Sequence, residues 1–383
     1  MRLGVYSDLV YRLDAEGVVS TDLSFVRFPT SLPPRVDEVV VLGRRDPVPG
    51  RGPYPLPSAG VRFVGLPYYP SVFHVGRMLQ TLRGSCRVFA RELERLDAVW
   101  LFGPNPLAVL FALIARRRGT PVFLGVRQDY PRYIRNRLPS RRWAWALGAA
   151  WGLELAFRLL ARRSPTIAVG EELAGQYRGG RAPVLATGLS LIGADDVVGE
   201  EDALARSWDE DKLRLLSVGR LDPEKNPLLL AAILERLRAR DPRWRLTVVG
   251  VGPLAEELER HAGPGLELAG YVENGPPLWR LYRESHAFLH VSLTEGVPQV
   301  VFEAFAAGIP IVATDVGGVS RAVERAALLV PPEDAEAAAA ALERLRDDGE
   351  LRARLVREGL AIARRETTEA QLDRVLEFIS RAG

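Results

Sequence analysis

Two glutamates with seven residues between them, Glu295 and Glu303, sit in TEGVPQVVFEAFAAGIPIVATDVGGV (294–319), and two cations, Arg220 and Lys225, sit in SVGRLDPEKNP (217–227). The pattern around the glutamates reads as a strand at 288–291, a turn at 293–297, and a helix entered at Pro298 and ended by Gly308. One carboxylate then lies on a loop at the carboxyl end of a strand and the other within the helix, in an apolar segment where an unpaired charge is costly. These are candidate site residues. Arg220 and Lys225 fall at a second strand-to-helix junction, where backbone amides and the helix dipole already favour an anion, and phosphate suits them. Lysine is rare here: of 51 basic residues only Lys212 and Lys225 are lysines. A compact point charge at that junction therefore fits phosphate, the alternative being a solvated capping loop in which Lys225 pairs with Asp222 or Glu224.

A chain of 383 residues exceeds one ordinary core and predicts two domains. With 47% apolar and 26% charged residues it is globular, and a net charge of +3 does not call for a nucleic-acid partner. The isoelectric point near 9.1 suits an anionic substrate or a membrane surface. Cys86 is the single cysteine, which excludes an internal disulfide framework and fits a reducing compartment. The opening MRLGVYSD lacks the pattern of a secretory signal, so a cytoplasmic setting is expected, with the inner face of the membrane as an extension of it.

In chain order, a strand at 3–8 precedes a loop containing Gly17 and a helix-like stretch at 21–32. Apolar runs at 36–42, 61–66, 98–102, 122–126 and 165–169, with a helical pattern at 106–118, read as strands covered on both faces. The acid-rich run within 189–212 has the composition of an exposed linker, after which strands and helices alternate again. The expected organisation is a first Rossmann-like domain at 1–188, a linker at 189–212, a second Rossmann-like domain at 213–365, and a terminal helix at 366–383 crossing back to the first domain. An Asp-x-Asp at 209–211 lies in the linker rather than after a strand and reads as solvated charge, so no metal site is expected.

The ordered series SVGRLDPEKNPLLL, LTVVGVGPLAEEL, LELAGYVENGPPLWRLY and SLTEGVPQVVFEAFAAGIPIVATDVGGV closely resembles the carboxyl-terminal domain of retaining family-4 glycosyltransferases. The likeness is strong from 213 onward and covers the first half only in its layout. It implies the α/β GT-B fold, two facing doubly wound domains with a cleft between them. It further implies a metal-independent hexosyl transfer, without a cofactor, from a nucleotide-diphosphate sugar to a saccharide, lipid-linked or small-molecule acceptor. On that resemblance Arg220 and Lys225 grip the donor diphosphate, Glu295 touches hydroxyls of the transferred sugar, and Glu303 holds the ribose. Gly219, Gly296, Val297, Pro298, Gln299 and Val300 present the loops to phosphates or sugar, and Tyr271 and Val272 lie against the base. Gly17 approaches the phosphate or is a plain turn.

The chain departs from the family pattern in two places. Pro298 replaces a glycine and removes an amide donor, which shifts the backbone contacts to Gln299 and Val300. GVRQDYP stands where many members have a histidine, leaving Arg127, Gln128 or Asp129 for the acceptor side, each equally readable as a loop cap. The unusual acceptor side keeps open a catalytically silent donor-binding partner in polysaccharide assembly; a GT-B nucleotide-sugar epimerase is the other alternative, which would need its own acid and base in the cleft and is disfavoured by the missing histidine. RRWAWALGAAWGLELAFRLLARR (141–163) has an apolar arc wider than a surface helix needs. Burial is the preferred expectation, and peripheral contact with a membrane interface is the other.

Overall fold

The computed structural model describes residues 1–383 apart from 34, 72–73, 136–143, 189, 191, 296–297 and 383. The chain divides into two compact units, Met1–Leu191 with Gln371–Gly383, and Ile192–Ala370.

Unit 1 carries β1 (Arg2–Leu13), β2 (Val19–Thr21), β3 (Glu38–Arg45), β4 (Tyr54–Pro55), β5 (Val61–Leu66), β6 (Ala98–Gly103), β7 (Val122–Val126), β8 (Thr166–Val169) and β9 (Val184–Thr187). Its parallel part runs β5-β3-β1-β6-β7-β8-β9, so the order reverses beside β1, between β3 and β6. Both faces of this sheet are covered, which is why its strands are nearly continuous apolar runs. Phe89, Phe111 and Phe157 pack on one face, and Phe28, Trp100, Leu372, Val375 and Ile379 form the cluster on the other. The last three belong to the terminal helix Thr368–Ala382.

The stretch at 21–32 differs from the helix expected. β1 continues past a register shift between Tyr6 and Val10 to Leu13, and β2 folds back antiparallel onto it. Gly17 makes the connecting turn at φ 82°, and the helical part of the stretch is confined to the 3-10 turn Ser24–Val26 and the helix Arg27–Thr30 that follows it.

Unit 2 carries β10 (Leu213–Val218), β11 (Trp244–Val249), β12 (Leu266–Gly270), β13 (Ala287–His290), β14 (Ile311–Thr314) and β15 (Ala327–Val330). They form one parallel sheet ordered β12-β11-β10-β13-β14-β15. Both units are thus doubly wound α/β folds of Rossmann type.

The acid-rich run is not a free connection. Ile192, Ala203 and Trp208 are buried in the clusters of unit 2, Val198 donates its N–H to Ala306 O at 2.9 Å, and Arg206 reaches Gly308 O at 2.9 Å. Apolar residues spaced among the acids anchor the segment while Glu200, Glu201, Asp202 and Asp209 face solvent.

Candidate functional site

A parallel sheet opens a crevice where its strand order reverses, because the loops leaving the two central strands diverge. In unit 2 that point lies between β10 and β13. A cavity of about 200 Å³ sits there, lined by Gly219, Arg220, Lys225, His290, Ser292 and Glu295, with Pro298, Gln299 and Val300 closing one side. The two loops that supply these residues are tied together, since Leu293 donates to Glu224 O at 2.9 Å.

Glu295 is the hub. Lys225 Nζ donates to its Oε1 at 2.6 Å, Ser292 Oγ donates to the same oxygen at 2.8 Å, and His290 Nε2 lies 3.2 Å away without hydrogen-bond alignment. Burial by itself would raise the Glu295 pKa, but these neighbours, His290 and Lys225 first, hold it down at about 2. The carboxylate is therefore ionised through the neutral range and held in one place. Arg220 behaves differently: its side chain is 65% exposed and pairs with Asp222, and with Glu224 at 2.6 Å. Such exposed pairs contribute about 0–1 kcal/mol, so an incoming anion can displace them at small cost.

The helix Gln299–Ala306 starts at the cavity with Pro298 as its N-cap and no side-chain cap. Its first amides, Gln299 and Val300, have no intrahelical carbonyl within reach and carry the positive end of the helix dipole. Glu303 lies one turn further in and does not line the cavity. Its Oε2 accepts from Tyr282 Oη at 2.7 Å, and burial pushes its carboxyl above the usual range against that donation, with Asp196 adding to the rise. Gly296 and Val297 lie outside the described residues. Tyr271 and Val272 follow β12 and do not line the cavity, Tyr271 being 71% exposed.

Glycines set the approach of the neighbouring loops. A Cβ at Gly250 would stand 1.8 Å from Gly219 O and one at Gly252 2.5 Å from Leu221 C, so the loop after β11 buttresses the Arg220 loop. Gly317, at φ 53°, lies where a Cβ would meet Glu295 O at 2.1 Å, and Gly318 donates to that oxygen at 3.0 Å. Gly317→Ala is therefore expected to push the Glu295 backbone out of position. The rate the site supports should fall by up to about a hundredfold while far-UV circular dichroism stays native, the order of loss that a misplacement of about 1 Å can produce. Wild-type turnover in this variant would remove the buttressing role.

In unit 1, Arg127 and Gln128 line a separate cavity, whereas the Asp129 carboxylate caps the helix Tyr130–Arg135 by accepting from Arg132 N at 2.9 Å. Gly17 sits in the β1–β2 hairpin, where it donates to Asp14 O at 3.2 Å. Among the described residues, no group of three or more His, Cys, Asp or Glu has an arrangement suited to a metal ion. His290 and Ser292 went unassigned in the sequence. The signal that marks them is position, since His290 ends the strand whose loop carries Glu295.

The helix within 141–163 corrects the burial expectation. It spans Trp145–Ala161, and residues 141–143 of the stretch lie outside the described residues. The buried side is made by Ala146, Ala150, Glu154, Phe157 and Leu160, while Trp151, Leu155 and Leu159 are 53%, 60% and 51% exposed. Glu154 is buried with Arg158 paired to it at 2.7 Å, and Trp151, Leu155 and Leu159 lie on the opposite, exposed side. No described helix is long and apolar enough to cross a membrane.

Residues 212–348 match the family model described as Glycosyl transferases group 1, and residues 30–184 match the Glycosyl transferase 4-like domain. The two matches fall one in each unit and, with the two doubly wound sheets, support a glycosyltransferase of the GT-B fold. This GT-B chain is 26% identical over 350 residues to the Sulfoquinovosyl transferase SQD2 of Arabidopsis thaliana, covering 87% of itself and 64% of that protein. It is 33% identical over 199 residues to the Phosphatidyl-myo-inositol mannosyltransferase of Mycolicibacterium smegmatis, covering 49% of itself and 51% of that protein. The chain thus spans between about half and two thirds of the length of these curated relatives. Among solved structures, Anabaena Alr3699/HepE in complex with UDP superposes with a TM-score of 0.68 at 16% identity over 99% of each chain, a likeness of fold.

Proposed function

We propose that this GT-B protein transfers a sugar, with retention of anomeric configuration, from a nucleotide-diphosphate sugar to a saccharide, lipid-linked or small-molecule acceptor. The observation that carries the proposal is the Lys225–Glu295 pair beside an uncapped helix N-terminus at the switch point of unit 2. Departure of the nucleoside diphosphate concentrates negative charge on its phosphates and oxocarbenium character on the sugar. Lys225, Arg220 and the amides of Gln299 and Val300 supply fixed positive charge where that negative charge grows, which lowers the barrier more than it tightens ground-state binding. In this reading the same groups replace a metal at the diphosphate. When the donor enters, Lys225 turns from Glu295 to phosphate, and Glu295 takes hydroxyls of the sugar. Glu303 takes the ribose, and Tyr271 with Val272 offers a surface to the base. The leaving phosphate oxygen accepts the acceptor's proton as the acceptor attacks the same face of the sugar. The UDP complex of HepE and the transferase names of the two relatives support this reading.

A panel of UDP-, GDP- and ADP-sugars tests it by transfer and by slow hydrolysis, with the product anomer read by proton NMR. Binding with neither reaction points to a silent donor-binding protein, epimerised sugar to an epimerase, and an inverted product overturns retention.

The acceptor side of the proposal includes peripheral contact with the cytoplasmic face of a membrane. Trp151, Leu155 and Leu159 form one stripe, and Gly148 and Gly152 within it have open space where a Cβ would stand. Exposed Arg162 and Arg163 at the end of the helix complement anionic headgroups. Flotation with vesicles containing phosphatidylglycerol should carry the protein upward, and the triple substitution W151S/L155S/L159S should abolish it. Equal flotation of both proteins, or of neither, contradicts the contact.

A further inference from the structure

We propose that the switch-point cavity of unit 1 binds a phosphoryl-class anion through the Arg127 guanidinium, so that the acceptor carries such a group. The proposal rests on unit 1 being the acceptor half, and it names the chemistry that half recognises. The cavity, about 260 Å³, lies at the carboxyl ends of β6 and β7 and beside the register shift of β1 at Asp8, the switch-point location where ligands bind in a doubly wound sheet. It is lined by Asp8, Arg44, Ser71, Asn105, Arg127 and Tyr133, among others.

The charges of this cavity do not cancel. Arg44 Nε pairs with Asp8 Oδ1 at 2.8 Å, its other nitrogens reach the carbonyls of Asp8, Tyr69 and Pro70, and its guanidinium lies 4.3 Å from the centroid of the Tyr69 ring. Tyr69 Oη donates to the same Asp8 oxygen at 2.6 Å. Asp8 and Arg44 therefore neutralise each other and are held in place. Arg127 stands apart. Its guanidinium carbon lies 3.9 Å from the Phe25 ring centroid and 6.0 Å from that of Phe102, and it has neither a carboxylate within 4 Å nor a hydrogen bond among the described residues.

Stacking on an aromatic face contributes about 0.5–2 kcal/mol but satisfies none of the five N–H donors. Burial pushes the Arg127 pKa down, with Tyr11, Tyr133 and Asp8 opposing the shift, so the site destabilises a charge that arginine nonetheless keeps. A half-buried cation held rigid by rings, with its donors unspent, is preorganised for a planar two-oxygen partner such as phosphate. The helix Pro106–Arg117, capped by Asn105 at the cavity wall, adds the positive end of its dipole to the same space.

The phosphoryl group can come from a free phosphorylated polyol or from a phospholipid headgroup. Calorimetric titration of the full chain with inorganic phosphate and sn-glycerol 3-phosphate covers the first source. Binding to nanodiscs of phosphatidylglycerol, against phosphatidylcholine, covers the second. At least one arm should show binding that R127Q weakens by about tenfold or more, the loss expected for a charged hydrogen-bonded partner, with R127K falling in between. Loss in the lipid arm alone identifies a headgroup, and loss in the free-phosphate arm identifies a soluble acceptor. Unfolding temperatures of the variants close to that of the wild type, and unchanged nucleotide-sugar binding, show that the second unit is intact. Binding equally strong in wild type, R127K and R127Q overturns the proposal, as does a wild type that binds nucleotide sugar yet no phosphoryl probe. A chain with Arg127-dependent phosphate binding but no donor binding would instead retire the transferase reading and leave the cavity as an anion site.

Discussion

Lys225→Ala is expected to lower turnover by roughly 10²–10³, the loss typical of removing one fixed donor from a site where negative charge develops. The reason is geometric. Lys225 Nζ stands 2.6 Å from Glu295 on the loop that precedes the Gln299–Ala306 helix, so a turn away from Glu295 brings the ammonium toward the helix N-terminus where the proposal puts the leaving diphosphate. The fall should appear in kcat as well as in donor affinity, because the charge interacts with the bound diphosphate and more strongly with the transition state. A structural loss must be separated from this effect. Removing the lysine leaves Glu295 half-buried with fewer donors, and a stranded carboxylate can itself destabilise the loop. The double variant K225A/E295Q removes that stranded charge. If it recovers the unfolding temperature of the wild type yet turns over well below Glu295→Gln alone, the lysine acts on the reaction. Turnover equal to that of Glu295→Gln alone would reduce Lys225 to a partner for Glu295.

The second large effect separates the two glutamates. Glu295→Gln should lower kcat by about a hundredfold with little change in nucleotide affinity, since the proposal gives it the sugar. Glu303→Gln should weaken binding of the nucleoside diphosphate by about tenfold, leaving turnover at saturating donor near normal, since it is given the ribose. Glutamine suits Glu303 better than alanine, because alanine would leave the buried Tyr282 hydroxyl without its acceptor at 2.7 Å. pH offers a further discrimination. Glu295 stays ionised down to about pH 2, whereas burial raises the Glu303 pKa, so nucleotide affinity should decline on acidification before the charge on Glu295 is touched. Calorimetry with the nucleoside diphosphate alone measures the first, and initial rates measure the second. The opposite pattern, affinity lost in the Glu295 variant and rate lost in the Glu303 variant, exchanges the two roles.

The parts of this site visible in the sequence are those carried by local pattern. Strands β10 and β13 are short, mainly apolar runs, and the residues that follow them, Arg220, Lys225 and Glu295, stand where a strand gives way to a helix. The pairing of Lys225 with Glu295 was not legible, because the nearer acids Asp222 and Glu224 offered themselves first. They are taken instead by Arg220, which lies two and four positions away along the same loop. His290 was hidden for a related reason, since nothing in a strand's period shows what its last residue faces. The Trp145–Ala161 helix misled because hydrophobicity normally marks the inner face. Here the inward Glu154 is stabilised by Arg158, and Trp151, Leu155 and Leu159 are left outside. Acid content misled in 189–212 in the opposite sense: the acids are exposed, but Ile192, Ala203 and Trp208 between them reach the core of unit 2.

The central claim is that the Lys225–Glu295 site takes the diphosphate of a nucleotide sugar, and thermal unfolding with and without ligand tests it most directly, because a ligand that binds only the folded state raises Tm. Wild-type protein and Lys225→Ala would be melted with UDP-, GDP- and ADP-glucose at millimolar concentration. The account predicts that at least one nucleotide sugar raises the Tm of the wild type by several degrees and that the shift is lost in Lys225→Ala. No shift with any of the three, or a shift of the same size in both proteins, would contradict it.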